Sequence, residues 1–142
     1  MISAAAVAQV LGGLGRCKAS VTDLALADAV RHGLPVSALD RLIADGVVSE
    51  HEVEAHFIPR RTLYARRQKG TLSREQSDLV VRLARIQAMA DEVFGDRQKS
   101  HGWLRDKNGA RASQTPLSLL DIEEGGRLVE TVLGRIAHGI VE

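Results

Sequence analysis

Residues 73–95 constrain the fold more than any other stretch of the chain. Leu79, Leu83, Ile86, Ala90 and Val93 recur at intervals of three and four, and Val80, Met89 and Phe94 widen the stripe. That interval gathers apolar side chains on one face of a helix, whereas a half-buried strand needs strict alternation. Ser73 is placed to cap the first turn, Gln76 to return the hydrogen bond from three residues on, and Gly95 to stop the last turn. The pattern predicts a helix of about 20 residues, a spine whose apolar face other elements must cover, with Arg82 and Arg85 on its exposed side. Hydrophobic residues make up 44% of the chain but aromatic residues only 3%. The core is therefore Leu, Val, Ile and Ala, which suits packed helices better than a β-sandwich. The expected fold is all-α, a multi-helix bundle.

The 142 residues amount to one domain, or to two small lobes that share helices. Residues 2–11 form either a short helix, with Ser3 as cap and Val7, Val10 and Leu11 on one side, or a loosely ordered arm. The glycines that follow, Gly12, Gly13 and Gly15, read as a flexible joint. They satisfy neither nucleotide-binding fingerprint, because Lys18 stands where a dinucleotide motif needs its last glycine and no Gly-Lys-Ser/Thr follows. Thr22 is a plausible cap for a helix to His32, with Leu24, Ala27, Val30 and Leu34 at helical spacing, and Gly33 ends it. After Pro35 a second helix carries Leu39, Leu42 and Ile43 and closes at Gly46, which makes a helical hairpin. The single cysteine, Cys17, cannot form an internal disulfide. With no cationic residue before the apolar N-terminal run and no apolar stretch of membrane-spanning length, a cytoplasmic protein without membrane association is expected.

Ser49 caps a third helix whose early turns carry Glu50, Glu52 and Glu54, where carboxylates suit the positive end of the helix dipole. His51 and His56 are five apart, so they do not share the face that a zinc-binding His-Glu-x-x-His pair requires. No metal and no cofactor is expected. Only Phe57 and Ile58 separate this helix from the next, which Pro59 would open as its first residue and Gly70 would stop. Between residues 57 and 74 there are six cations (Arg60, Arg61, Arg66, Arg67, Lys69 and Arg74) and no acid. Taking those six from the 19 basic residues leaves 13 against 18 acidic ones, so the remainder of the chain is net −5. A basic helix following closely on another, on an acidic body, is the helix-turn-helix arrangement, whose second helix enters the major groove of DNA. Leu63 would anchor that helix to the core. Arg60, Arg61, Thr62, Tyr64, Arg66, Arg67 and Lys69 are then the candidate DNA-binding residues, with arginine suited to guanine and Thr62 to a base edge or phosphate.

The second half is less charged in pattern. Trp103 is expected as a core anchor, residues 106–109 as a turn, and Thr115-Pro116 as the opening of a short helix. After Gly125 and Gly126 a last helix is expected, with Leu128, Val132, Ile136 and Ile140 four apart, flanked by Val129 and Leu133, and stopped at Gly139. Ile140, Val141 and Glu142 then form a mostly apolar tail. No nucleophile, base and orienting group occur together, so no enzymatic activity is expected.

Trp103-Leu104, the run Thr115-Pro116-Leu117-Ser118-Leu119-Leu120, Gly126, Val129 and the stretch Leu133-Gly134-Arg135-Ile136-Ala137-His138-Gly139 together resemble the C-terminal toxin-binding domain of the Xre/MbcA/ParS-like antitoxins. Arg61-Thr62-Leu63, Gly70-Thr71-Leu72-Ser73 and Val93-Phe94-Gly95 resemble the DNA-binding part of the same family. The likeness covers residues 40–142. It departs from the family where an Asn and Gly before Thr-Pro are here spread over residues 108–114. The resemblance implies a type II antitoxin that neutralises a cognate RES-domain, NAD-depleting toxin, represses its own operon by binding operator DNA, and forms a homodimer. It also implies toxin contacts at Arg135, Ile136, His138, Gly139, Ile140, Val141 and Glu142. The corresponding division is an arm or short helix at 1–20, a helix-turn-helix DNA-binding region at 21–74, and the spine helix with the C-terminal helical toxin-binding domain at 75–142. The alternative is a helix-turn-helix regulator whose C-terminal half only dimerises or senses a ligand.

Overall fold

A computed structural model of the protein describes residues 2–12, 22–107 and 114–139. Within these residues the regular structure is helical apart from one isolated β-bridge. The helices are α1 (Ala4–Val10), α2 (Asp23–His32), α3 (Val36–Ala44), α4 (Glu50–His56), α5 (Arg60–Lys69), α6 (Arg74–Phe94), α7 (Arg97–Leu104) and α8 (Glu123–Ala137), with a 3-10 helix at Leu117–Asp121. The chain divides into two compact units, residues 1–85 and 86–142, and the division falls inside α6; the sequence had suggested 74/75. Cys17, most of the glycine-rich joint, Asn108 and Gly109 of the expected turn, and Ile140, Val141 and Glu142 lie outside the described residues.

In the first unit the expected caps are present. Ser3 accepts from Ala6 N and Thr22 from Ala25 N. Ser73 and Gln76 exchange bonds of 3.1 and 2.9 Å at the start of α6. Residues 2–11 take the first of their two expected forms: α1 buries Ala4, Val7 and Ala8, Leu11 is buried just beyond it, and the helix packs on α2. The connection between α2 and α3 pairs with the connection between α5 and α6. Leu72 N donates to Leu34 O (2.8 Å), Val36 N donates to Gly70 O (3.0 Å), and Leu34 N donates to the buried Ser77 hydroxyl (2.7 Å). Gly33, at φ +89°, lies so close to this seam that a Cβ there would stand 2.5 Å from the Leu72 carbonyl oxygen. Two expectations change. Pro59 sits just before α5 in extended backbone, and Arg60 is the first helical residue. Arg82 is buried, held by Asp78 one turn back at 2.9 Å: three to four residues from Leu79, Ile86 and the rest of the stripe, it belongs to the edge of the apolar face.

In the second unit the polar stretch after Gly95 contains a helix that the sequence reading missed. Asp96 caps α7 through Gln98 N, and Leu104 is buried at its end. Trp103 is partly rather than fully buried and packs on Phe94 with ring centroids 5.7 Å apart. The two helices are also joined by a polar cluster. The fully buried Gln87 amide donates to Asp91 Oδ1 (2.8 Å) and to Ser100 Oγ (3.1 Å), Ser100 Oγ donates to Asp91 Oδ1 (2.6 Å), and Arg97 Nε donates to Asp91 Oδ2 (2.9 Å). Burial pushes the Asp91 carboxyl up, but the hydrogen bonds from Arg97, Ser100 and Gln87 and the Arg97 charge outweigh it, and the group sits below its ordinary value.

The last helix also differs from expectation. It starts at Glu123 and runs through both glycines instead of following them, because Gly125 is where α8 meets the 3-10 helix: a Cβ there would be 1.7 Å from the Leu119 carbonyl oxygen. The buried row is consequently Gly125, Gly126, Val129 and Leu133. Leu128, one residue out of step, is 46% exposed.

These contacts generate two expectations. Gly125→Ala will destabilise the second unit despite its gain in helix propensity, whereas Gly134→Ala, with no atom within 4 Å of the new Cβ, will stabilise it by about 0.5–1 kcal/mol; urea unfolding followed by tryptophan fluorescence separates the two. Because the Asp91 carboxyl is depressed on folding, its contribution is present above the unfolded value of 3.8 and is lost as pH falls through the lower folded value. Asp91→Asn will therefore lower stability at neutral pH, and the difference from wild type will shrink during acid titration.

Candidate functional site

The helix pair α4 and α5 is built from a capped helix, a tight turn and an uncapped helix. Ser49 accepts from Glu52 N (3.0 Å) and Glu52 returns a bond to Ser49 N (2.9 Å), with Glu50 also in the first turn of α4. At the other end both Phe57 N and Ile58 N donate to Val53 O at 2.9 Å, which bends the chain sharply. Ile58 is buried, and Pro59 holds extended backbone that starts α5. Gly70 stops α5 in the left-handed region, φ 90°, with its N–H on Arg66 O. No side chain caps the start of α5 and no acid stands in its first turn. Arg60 and Arg61 therefore add positive charge to an already positive helix end, an arrangement that an external anion would relieve.

Leu63 is 1% exposed and fixes the rotation of α5. Arg60, Arg61, Thr62, Tyr64 and Lys69 are exposed, and Tyr64 keeps 67% of its surface in solvent. Arg66 and Arg67, three and four residues past Leu63, are half-buried. Arg67 is already engaged within the fold. Its guanidinium forks onto Glu50, Nη1 to Oε2 at 2.6 Å and Nη2 to Oε1 at 2.8 Å, and reaches Asp40 Oδ1 at 2.9 Å. These bonds hold the Glu50 carboxyl below its usual range, burial opposing, and push the Arg67 guanidinium further up. Although residues 57–74 contain no acid, folding brings two from α3 and α4 against Arg67. Helical spacing carried that signal, since residues i and i+4 share a face and Leu63 is the anchor. Arg60, Arg61, Arg66 and Lys69 form no ion pair among the described residues. A groove between the helices is lined by Glu50, His51 and Glu54 from α4 and by Arg60, Leu63, Tyr64 and Arg67 from α5; His51 and Glu54 were not among the residues expected there.

In the second unit Thr115 and Ser118 cap each other across the turn into the 3-10 helix, both bonds 3.1 Å. Among the residues singled out at the C-terminal end, Arg135 and His138 are exposed, Ile136 is partly buried, and Gly139 takes φ 77° just beyond the helix. Among the described residues no helix is long and apolar enough to cross a membrane.

Residues 25–85 match a family model described as the antitoxin Xre-like helix-turn-helix domain, and residues 89–139 match one described as the antitoxin Xre/MbcA/ParS C-terminal toxin-binding domain. The chain is 32% identical over 119 residues to Antitoxin Xre of Pseudomonas putida, an alignment spanning 83% of this chain and 74% of the relative. The chain belongs to the Xre antitoxin family. Antitoxin Xre of Yersinia enterocolitica is 30% identical over 118 residues, 81% of this chain and 80% of the relative. Antitoxin Xre of Photorhabdus laumondii is 30% identical over 115 residues, 79% and 78%. The antitoxin's α4 and α5 thus lie within its helix-turn-helix domain, and its 3-10 helix and α8 lie within the toxin-binding domain, which makes a toxin its partner.

Locking Arg67 between two carboxylates has a measurable consequence. With side-chain exposures of 32% for Arg67 and 46% for Glu50, solvent screens the pair, and a double-mutant cycle of Arg67→Ala and Glu50→Ala in urea will give a coupling of about 1 kcal/mol. Coupling near zero would mean that the fork contributes nothing to holding α5.

Proposed function

We propose that this antitoxin neutralises a RES-domain toxin that depletes NAD, and that it represses its own operon as a cytoplasmic homodimer whose two copies of α5 meet two operator half-sites. The observation that carries the DNA-binding half is the charge placement on α5. Arg60, Arg61, Arg66 and Lys69 form no ion pair among the described residues while Arg67 is internally compensated, and the helix start carries cations with no cap. Arg60, Arg61 and Lys69 contact phosphates or guanine edges, with Thr62 and Tyr64 between them, and Arg66 contributes from the flank. Arg67 serves by positioning α5. The toxin-binding half rests on the family's C-terminal domain and on the Arg135-to-Gly139 motif described above. Arg135, Ile136, His138 and Gly139 are the contacts at the end of α8, continued by Ile140, Val141 and Glu142.

Arg61→Ala and Arg66→Ala will weaken binding to the DNA upstream of the antitoxin gene and flatten the dependence of log K on log salt by about one per lost phosphate contact, without changing growth rescue in cells expressing the neighbouring toxin. Deleting residues 140–142, or Arg135→Glu, will do the reverse, abolishing rescue and leaving DNA affinity intact. Rescue by the truncated protein at wild-type level would remove the tail from the inhibitory surface. An NAD assay in the same cells tests the toxin's class.

A further inference from the structure

The groove between α4 and α5 holds a carboxylate that the basic surface leaves unexplained. Glu54 is half-buried on α4 and lines the groove beside His51, Arg60 and Tyr64. Its side chain makes no hydrogen bond or ion pair among the described residues, whereas Glu50, one turn earlier, is tied to Arg67. An ionised carboxylate is an acceptor only. Against a duplex it is repelled by phosphate oxygens and by the acceptor edges of guanine. The major groove offers it two donors, the amino groups of cytosine and adenine, and only the adenine amino group has a purine N7 acceptor beside it.

We propose that Glu54 is a base-reading residue that accepts a hydrogen bond from a cytosine amino group in the major groove, so that the DNA-reading surface includes α4 as well as α5. This rests on the assignment of α4 and α5 as the DNA-binding element. The unpaired cations of α5 attract any duplex, because phosphate contacts carry no sequence information. Glu54 supplies discrimination, since a duplex without a donor at that position leaves a desolvated, unpaired carboxylate.

The test is selection from a pool of duplexes randomised over their central bases, using the full chain as wild type, Glu54→Ala, Glu54→Gln and Arg61→Ala, followed by binding measurements on the enriched duplex and its single-base variants at several salt concentrations. Circular dichroism of both Glu54 variants will match wild type, because the side chain has no hydrogen-bond or ion-pair partner among the described residues to lose. The wild type will enrich a duplex in which one cytosine is preferred on the order of tenfold. Glu54→Ala will lose that preference and keep the others, and Glu54→Gln, which adds a donor, will move it toward adenine. The proposal is overturned if both Glu54 variants enrich the wild-type sequence with unchanged discrimination, or if they bind every duplex more tightly by one common factor, which is simple repulsion. If Arg61→Ala weakens binding while the Glu54 variants behave in either of those ways, Glu54 alone is at fault. If the wild type enriches nothing and Arg61→Ala changes neither affinity nor salt slope, the assignment of the helices falls and the role of Glu54 with it.

Discussion

The first unit depends on a seam between two connections. The backbone around Leu34 and the backbone around Leu72 hydrogen-bond to each other, and the buried Ser77 hydroxyl takes the remaining Leu34 N–H while donating to Ser73 O. Each such bond contributes on the order of 1 kcal/mol, but leaving a buried donor unmade costs more, so the seam tolerates little rearrangement. It ties the exit of α5 and the entry of α6 to the turn between α2 and α3. Leu63, buried in the middle of α5, sets the rotation of that helix, and the Arg67 fork to Glu50 and Asp40 ties its last turn to α3 and α4. A helix of ten residues with strongly polar composition has little stability of its own. Its order comes from being held at one buried leucine, one arginine fork and one hydrogen-bonded exit.

Holding α5 this way separates its charges by task. Of the two arginines on the anchored side, Arg67 is neutralised internally, whereas Arg66 and the exposed Arg60 and Arg61 form no ion pair among the described residues. Counting cations along residues 57–74 overstates the field presented to a polyanion, because one of the six is already satisfied.

Much of this was legible in the sequence because it rests on local chemistry. The spine helix, the Ser73 and Gln76 capping pair, the Ser49 cap, the glycine stop of α5 and the all-helical class follow from spacing and from which side chains can satisfy a helix end. What was missed depends on where the backbone passes through space. Gly125 and Gly126 read as a break because glycine is a poor helix former, yet both sit inside α8, and at Gly125 only a residue without a side chain lets the 3-10 helix approach. That shift of one row moved Leu128 out of the buried face. Helix α7 was hidden because its sequence carries two buried positions, Ser100 and Leu104, and one of them is polar. The Arg67 pairing needed two acids from 17 and 27 residues away, although the spacing from Leu63 already marked that side of the helix as the inner one. The Glu54 groove lies between two helices and has no pattern along either.

The chain has one tryptophan and one tyrosine, and they fall in different units. Trp103 leans on Phe94 beside the Asp91 cluster, while Tyr64 stands in solvent on α5 between Arg60 and Arg67. The protein therefore carries its own pair of optical labels: indole emission reports on the toxin-binding domain, and phenol emission reports on the helix-turn-helix. Each domain can be followed by spectroscopy without attaching a dye, and a ligand that touches only one of them announces which.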